Sequence, residues 1–153
     1  MPALFKLING GLITKVEAPA SIQDLSPQEP IQQHITLRTS DAVEACLTHL
    51  SQLKRISIEF LNFTDGRGYS MAKLLRERYG YREELRATGD VLCDQIQALS
   101  RCGFDAFELP DGTSMTAVLT QLRMFQQSYQ ADTLQPTPWW LNVDQALSEQ
   151  QDV

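Results

Sequence analysis

The chain has 153 residues, a formal net charge of −6 and 42% hydrophobic residues. That length fits one domain, the composition supports one hydrophobic core, and no apolar run approaches the ~20 residues of a bilayer-spanning helix. The acidic balance argues against a nucleic-acid partner. The opening MPALFKLINGG lacks the charged head, apolar body and small-residue cleavage site of a signal peptide. The expected location is therefore the cytoplasm.

Residues 4–8 (LFKLI) and 12–16 (LITKV) are β-prone runs around Asn9-Gly10-Gly11, a hairpin signal. Residues 17–37 carry Pro19, Pro27 and Pro30 among Gln and Ser and read as an extended connection. Asp41 and Glu44 make a capping-box-like start. Val43, Cys46, Leu47, Leu50 and Leu53 then follow helical spacing. RISIEFLNF (55–63) reads as a strand, and TDGRGYS leads into a helix over about 70–79, with Ser70 as cap and Gly80 as stop. ELRAT (84–88) reads as a short strand. Asp90 is the expected cap of a helix at 91–102 that Gly103 ends. FDAFEL (104–109) is the third strand of the body, Pro110-Asp111-Gly112 turns the chain, and a helix follows over about 114–129.

The body thus reads α-β-α-β-α-β-α. Strands alternating with helices imply parallel pairing through right-handed crossovers. The expected fold is a single α/β domain: a short, mainly parallel sheet of βα units with an N-terminal hairpin arm. Residues 1–37 form the arm and linker, 38–130 the body and 131–153 a tail containing Trp139 and Trp140. Ser57, Glu59, Arg86, Thr88 and Glu108 alternate with apolar strand residues, so one sheet face is partly polar. That face either lines a pocket or is covered by a second copy, the arm or the tail. A homodimer is expected, with a tryptophan of the tail as an interface anchor.

Cys46, Cys93 and Cys102 show no CxxC spacing and read as structural thiols, and His34 and His49 lack catalytic company. No metal site is expected. Residues 65–90 hold six of the thirteen basic residues against five acids, so they are locally positive in an acidic chain. Arg78 falls within the stripe of Met71, Leu74, Leu75 and Tyr79, either snorkelling past it or reaching a carboxylate such as Glu59.

The stretch Asn62–Ser70 lies between a strand and a helix, at the carboxyl end where α/β sheets bind ligands. Glycines permit close backbone approach, and an arginine fork suits phosphate, sulfate or carboxylate. The anion-binding candidates are Thr64, Asp65, Gly66, Arg67, Gly68, Arg86, Gly89 and Asp90, with the 110–113 loop at the same end of the sheet. The competing reading is that Gly, Asp and Ser are what such turns and caps require. No GxGxxG, Walker loop, HExxH, CxxCH or serine elbow is present, so no cofactor is expected.

FTDGRGYS (63–70), LRERYGYREELRATGDVLCDQ (75–95) and RCGFDAFEL (101–109) resemble a bacterial family catalogued as a domain of unknown function. Its members are commonly encoded beside an assimilatory sulfite/nitrite reductase subunit, and some carry an oxidoreductase label. The resemblance implies a role in sulfur assimilation and marks Asp65, Arg67, Arg86, Gly89, Asp90 and Asp94 as motif positions; it supplies no reaction. Two functions follow as expectations. One is an accessory protein of sulfite reduction that binds the reductase subunit or its electron donor. The alternative is a small anion-binding enzyme or oxidoreductase with its site in the βα loops.

Overall fold

The structure, a computed structural model, describes residues 2–8, 12–16, 33–124, 129–133 and 135–138. Among these residues six strands form one sheet: β1 Ala3–Ile8, β2 Leu12–Val16, β3 His34–Arg38, β4 Arg55–Phe60, β5 Glu84–Gly89 and β6 Ala106–Leu109, in the order β2-β1-β6-β5-β4-β3. β3 to β6 are parallel neighbours, as the alternation of strands and helices predicts. The N-terminal hairpin joins the same sheet, because β1 pairs antiparallel with both β2 and β6.

β3 departs from the sequence reading, which placed residues 34–37 at the end of an extended connection. Its five residues alternate, with Ile35 and Leu37 on one face, and they pair along all of β4 from Arg55 to Glu59. Pairing with a partner about twenty residues away makes this short run a strand, and the nearby prolines mask it in the sequence.

A 3₁₀ helix, Val43–Gln52, links β3 to β4. Helix α1, Arg67–Lys73, continues as a π-helical turn, Leu74–Arg78, before β5. A 3₁₀ turn, Cys93–Gln95, leads into α2, Ile96–Arg101, before β6. Helix α3, Met115–Arg123, follows, capped by Ser114 Oγ accepting from Ala117 N at 3.1 Å. Because each parallel neighbour is also the next strand in sequence, right-handed crossovers put these helices on one side of the sheet. The core agrees. It joins Phe5, Ile56, Ile58, Phe60, Leu85, Ala87 and Phe107 from one sheet face to Val43, Cys46, Met71, Leu75, Ile96, Leu99 and Val118 from the helices.

The other face carries the polar residues, and the register stacks them in three rungs. His34, Arg55 and Glu84 form the first; Thr36, Ser57, Arg86, Ala106 and Lys6 the second; Arg38, Glu59, Thr88, Glu108 and Leu4 the third. Trp139, Trp140 and most of the tail lie outside the described residues, as do 17–32.

Candidate functional site

Phe60, the last residue of β4, anchors the carboxyl edge. Its ring is buried, packs edge-on against Tyr69 at 5.6 Å between centroids and leans on Phe104 at 6.0 Å. A Cβ on Gly68 would lie 2.4 Å from that ring, so only glycine lets the first turn of α1 approach it without displacement. Gly89 ends β5 with φ +85°, and a Cβ there would lie 2.4 Å from Phe60 O. The next residue, Asp90, donates its N–H to that same carbonyl at 2.8 Å.

The loop between β4 and α1 is hydrogen-bonded within itself. Asn62 Oδ1 accepts from Thr64 N at 3.0 Å and Thr64 Oγ1 at 2.9 Å, an Asx turn. Asp65 binds Arg67 in a two-pronged pair, Nε at 2.9 Å and Nη2 at 2.7 Å, and accepts Arg67 N at 3.1 Å. It also accepts Thr39 Oγ1 at 2.6 Å, tying the loop to the end of β3. The Arg67 and Thr39 hydrogen bonds hold the Asp65 carboxyl well below the usual carboxylate range, and the same pair raises Arg67. Helix α1 starts at Arg67 rather than near Ser70; Gly66 is its N-cap, and the Asp65 carboxylate just before it accepts Arg67 N. Ser70 is an exposed residue inside the helix.

Asp90 does not cap the following helix. Its Oδ2 accepts Phe63 N at 3.0 Å, across the gap from one βα loop to the next. Gln95 takes the capping role: Oε1 accepts Leu92 N at 3.0 Å, while Nε2 donates to Phe63 O at 2.7 Å. Both backbone groups of Phe63 are thus held by the neighbouring loop. The edge these bonds stiffen is apolar at its tip: Leu61 is 60%, Phe63 46% and Leu92 36% exposed.

Of the candidates, Thr64, Asp65, Gly66, Arg67, Gly68, Gly89 and Asp90 gather at this edge. Arg86 stands apart, mid-strand on the polar face in the rung of Ser57 and Ala106, where Nε and Nη2 grip Glu84 Oε1 at 3.0 and 2.6 Å. The 110–113 turn closes on itself, with Thr113 Oγ1 donating to Pro110 O at 2.7 Å. Asp94, a motif position, is exposed.

Two features escape the linear reading. Arg78 is exposed and lies over the Tyr79 ring, 5.8 Å from its centroid, while Glu59 pairs with Arg38 at 3.4 Å. The arginine that this helix buries is Arg76, which donates to Gly103 O, Tyr81 O, Glu83 O and Asp105 Oδ2 at 2.8–3.2 Å. Burial is the largest influence on the Asp105 carboxyl and raises its pKa against the pull of Arg76. Much of the RERYGYRE…RCGFD pattern is accounted for by this network. The second feature is the charge cluster of Lys6, Arg55, Arg86 and Glu84, assembled from three strands. Its signal in the sequence is period-two alternation, which becomes readable only once the parallel register is known.

Burial raises all three thiols. Cys46 Sγ donates to Val43 O at 3.1 Å, as a structural thiol does. Among the described residues no group of three or more His, Cys, Asp or Glu is placed to hold a metal ion, and no helix is long and apolar enough to cross a membrane.

Fold and edge together define a one-sided α/β domain whose βα loops are cross-linked into a single apolar-tipped rim. The chain belongs to the family of bacterial proteins of unknown function DUF934, whose model matches residues 34–140, from β3 through the start of the tail. No curated protein and no solved structure matches it.

Proposed function

We propose that this chain is a non-catalytic accessory protein of assimilatory sulfite reduction, working in the cytoplasm and docking on the reductase or on the protein that feeds it electrons. The setting comes from the resemblance of residues 63–109. The docking role is supported by one observation: Leu61, Phe63 and Leu92 project from two loops that Asp90 and Gln95 lock together. An exposed apolar cluster on a rigid support loses little conformational freedom on binding, which favours recognition of a protein surface. The loop reading as an enzyme site for anions needs a cation with capacity to spare, and Asp65 matches Arg67 charge for charge. That pairing favours docking over catalysis at this edge. The working unit on this reading is a homodimer.

The test is a binding assay between the purified chain and sulfite reductase, with the electron-donor protein as a second arm. The double variant Phe63→Asp, Leu92→Asp should retain the wild-type melting temperature and lose binding in whichever arm is positive. No binding by the wild type in either arm, or unchanged binding by the double variant, overturns the reading.

A further inference from the structure

The polar face of the sheet holds an uneven cluster of charges. Lys6 Nζ lies 2.7 Å from Glu84 Oε2, while Arg55 Nε at 2.8 Å and Arg86 Nη2 at 2.6 Å share Oε1. Among the described residues three cations therefore share one carboxylate, and this cluster has a net charge of +2 in a chain whose net charge is −6. Two of the side chains are largely buried, Arg86 at 9% and Glu84 at 12% exposed, while Arg55 at 27% and Lys6 at 39% are partly exposed. Like charges in such a setting are poorly screened, so a surplus of two calls for compensation.

Donor capacity points the same way. Arg55 Nε is close to Glu84 but its N–H is not aligned on the oxygen, and this buried nitrogen has no hydrogen-bond acceptor among the described residues. Burial pushes the Glu84 carboxyl up, but the Lys6 hydrogen bond and the Arg86 and Arg55 charges outweigh it and bring it below its usual value. His34, beside Arg55 in the first rung, is lowered first by burial and then by Arg55, with Arg86 adding to them against Glu84. The hydroxyl-bearing Ser57 stands beside Arg86 in the second rung, Thr36 lies one strand spacing beyond it, and the small Ala106 is on the other flank. Glu59 is matched by Arg38, and Glu108 lies one rung toward the carboxyl edge.

We propose that this face binds a small dianionic oxyanion of the sulfate or phosphate class, held by Arg55, Arg86 and Lys6 with the Ser57 and Thr36 hydroxyls as flanking donors. Two guanidiniums and an ammonium supply the charge-assisted donors such an anion prefers, and the surplus of two matches its charge. This site is separate from the loop edge and stands whether or not that edge docks on a reductase.

The experiment measures thermal stabilisation and calorimetric binding of the full chain with inorganic sulfate and with inorganic phosphate, against sodium chloride at matched ionic strength. A saturable rise in melting temperature beyond that of chloride is expected, and the stronger of the two responses names the anion. Arg55→Gln should weaken binding at least ~tenfold, the effect of one lost charge-assisted hydrogen bond. Lys6→Gln, on the more exposed flank, should do the same and serves if the Arg55 variant fails to fold. Arg67→Gln should leave binding unchanged. Stabilisation no greater than that of chloride, full binding by the variants at Arg55 and Lys6, or its loss in Arg67→Gln overturns the proposal.

Discussion

The three glycines of the loop edge separate steric demand from ligand binding, because they differ in what a methyl group would meet. At Gly89 the backbone has φ +85° and an added Cβ would lie 2.4 Å from Phe60 O and 3.1 Å from Phe60 N. The left-handed conformation costs an L-residue about 1–2 kcal/mol, and overpacking adds about 1–3 kcal/mol, so Gly89→Ala should destabilise by about 2–5 kcal/mol. The obstruction is backbone, and moving Phe60 O also disturbs the Asp90 N–H bond it accepts at 2.8 Å. At Gly68 the obstruction is the Phe60 ring, boxed by Tyr69 and Phe104. The same overpacking of about 1–3 kcal/mol is offset by the gain of about 1 kcal/mol for alanine over glycine in a helix, leaving about 0–2 kcal/mol. At Gly66, φ is −71° and nothing lies within 4 Å of an added Cβ; Gly66→Ala should stay within about 0.5 kcal/mol. Urea denaturation with an unchanged m-value reads all three. A Gly66 variant as damaged as the Gly89 variant, or a Gly89 cost below about 1 kcal/mol, refutes the steric account of this motif.

Arg76→Ala should cost about 3–5 kcal/mol, since it strips three carbonyls of their donor and leaves Asp105 without its cation; Arg78→Ala, at an exposed position, should stay within about 0.5 kcal/mol by the same denaturation assay. Asp65 has a folded pKa below its unfolded value of about 3.9, so its stabilisation is present above about pH 4 and lost as pH falls through the folded value. The stability gap between wild type and Asp65→Asn should therefore be widest near neutrality and close on acidification; a gap constant down to about pH 3 contradicts the pairing. Asp90→Asn, which keeps an acceptor for Phe63 N, should be milder in thermal melts than Asp90→Ala, at about 0.5–1.5 kcal/mol for the latter. Light scattering should report a homodimer for the full chain, and a monomer for both the full chain and a chain ending at residue 130 would refute it.

The alternation of elements was legible because helical runs of apolar residues alternate with β-prone runs of period two. What stayed hidden depended on tertiary neighbours. Asp90 precedes a helix and so looks like its cap; only the approach of Phe63 N from another loop reveals a closer donor. The arginines show a subtler effect. With α-helical phase throughout, Met71, Leu74, Leu75 and Arg78 share a stripe. The π turn at Leu74–Arg78 widens the helix and shifts that phase. Leu75 and Arg76 then face inward, Leu74 becomes 37% exposed and Arg78 turns out. No periodicity of the segment announces the extra residue in that turn.

Charge shows the same dependence on the third dimension. Read along the chain, the positive excess lies in residues 65–90 and points to the loop. In the fold that excess largely disappears into pairs: Arg67 with Asp65, Arg76 with Asp105, and Lys73 with Glu77 at 3.8 Å. Arg78 lies over the Tyr79 ring instead, and Arg86 joins a larger group, because the sheet register brings Arg55 from β4 and Lys6 from β1 to the carboxylate it shares. The surplus therefore belongs to the sheet face, whereas the edge above it is apolar at its tip and has its Arg67 matched by Asp65. The two surfaces lie at opposite ends of the strands, with Arg55 and Glu84 opening β4 and β5 and Leu61 and Asp90 following their ends, so their variants should act independently. Anion binding should survive Phe63→Asp, and partner binding should survive Arg55→Gln. Loss of both by either substitution would mean that face and edge form one site.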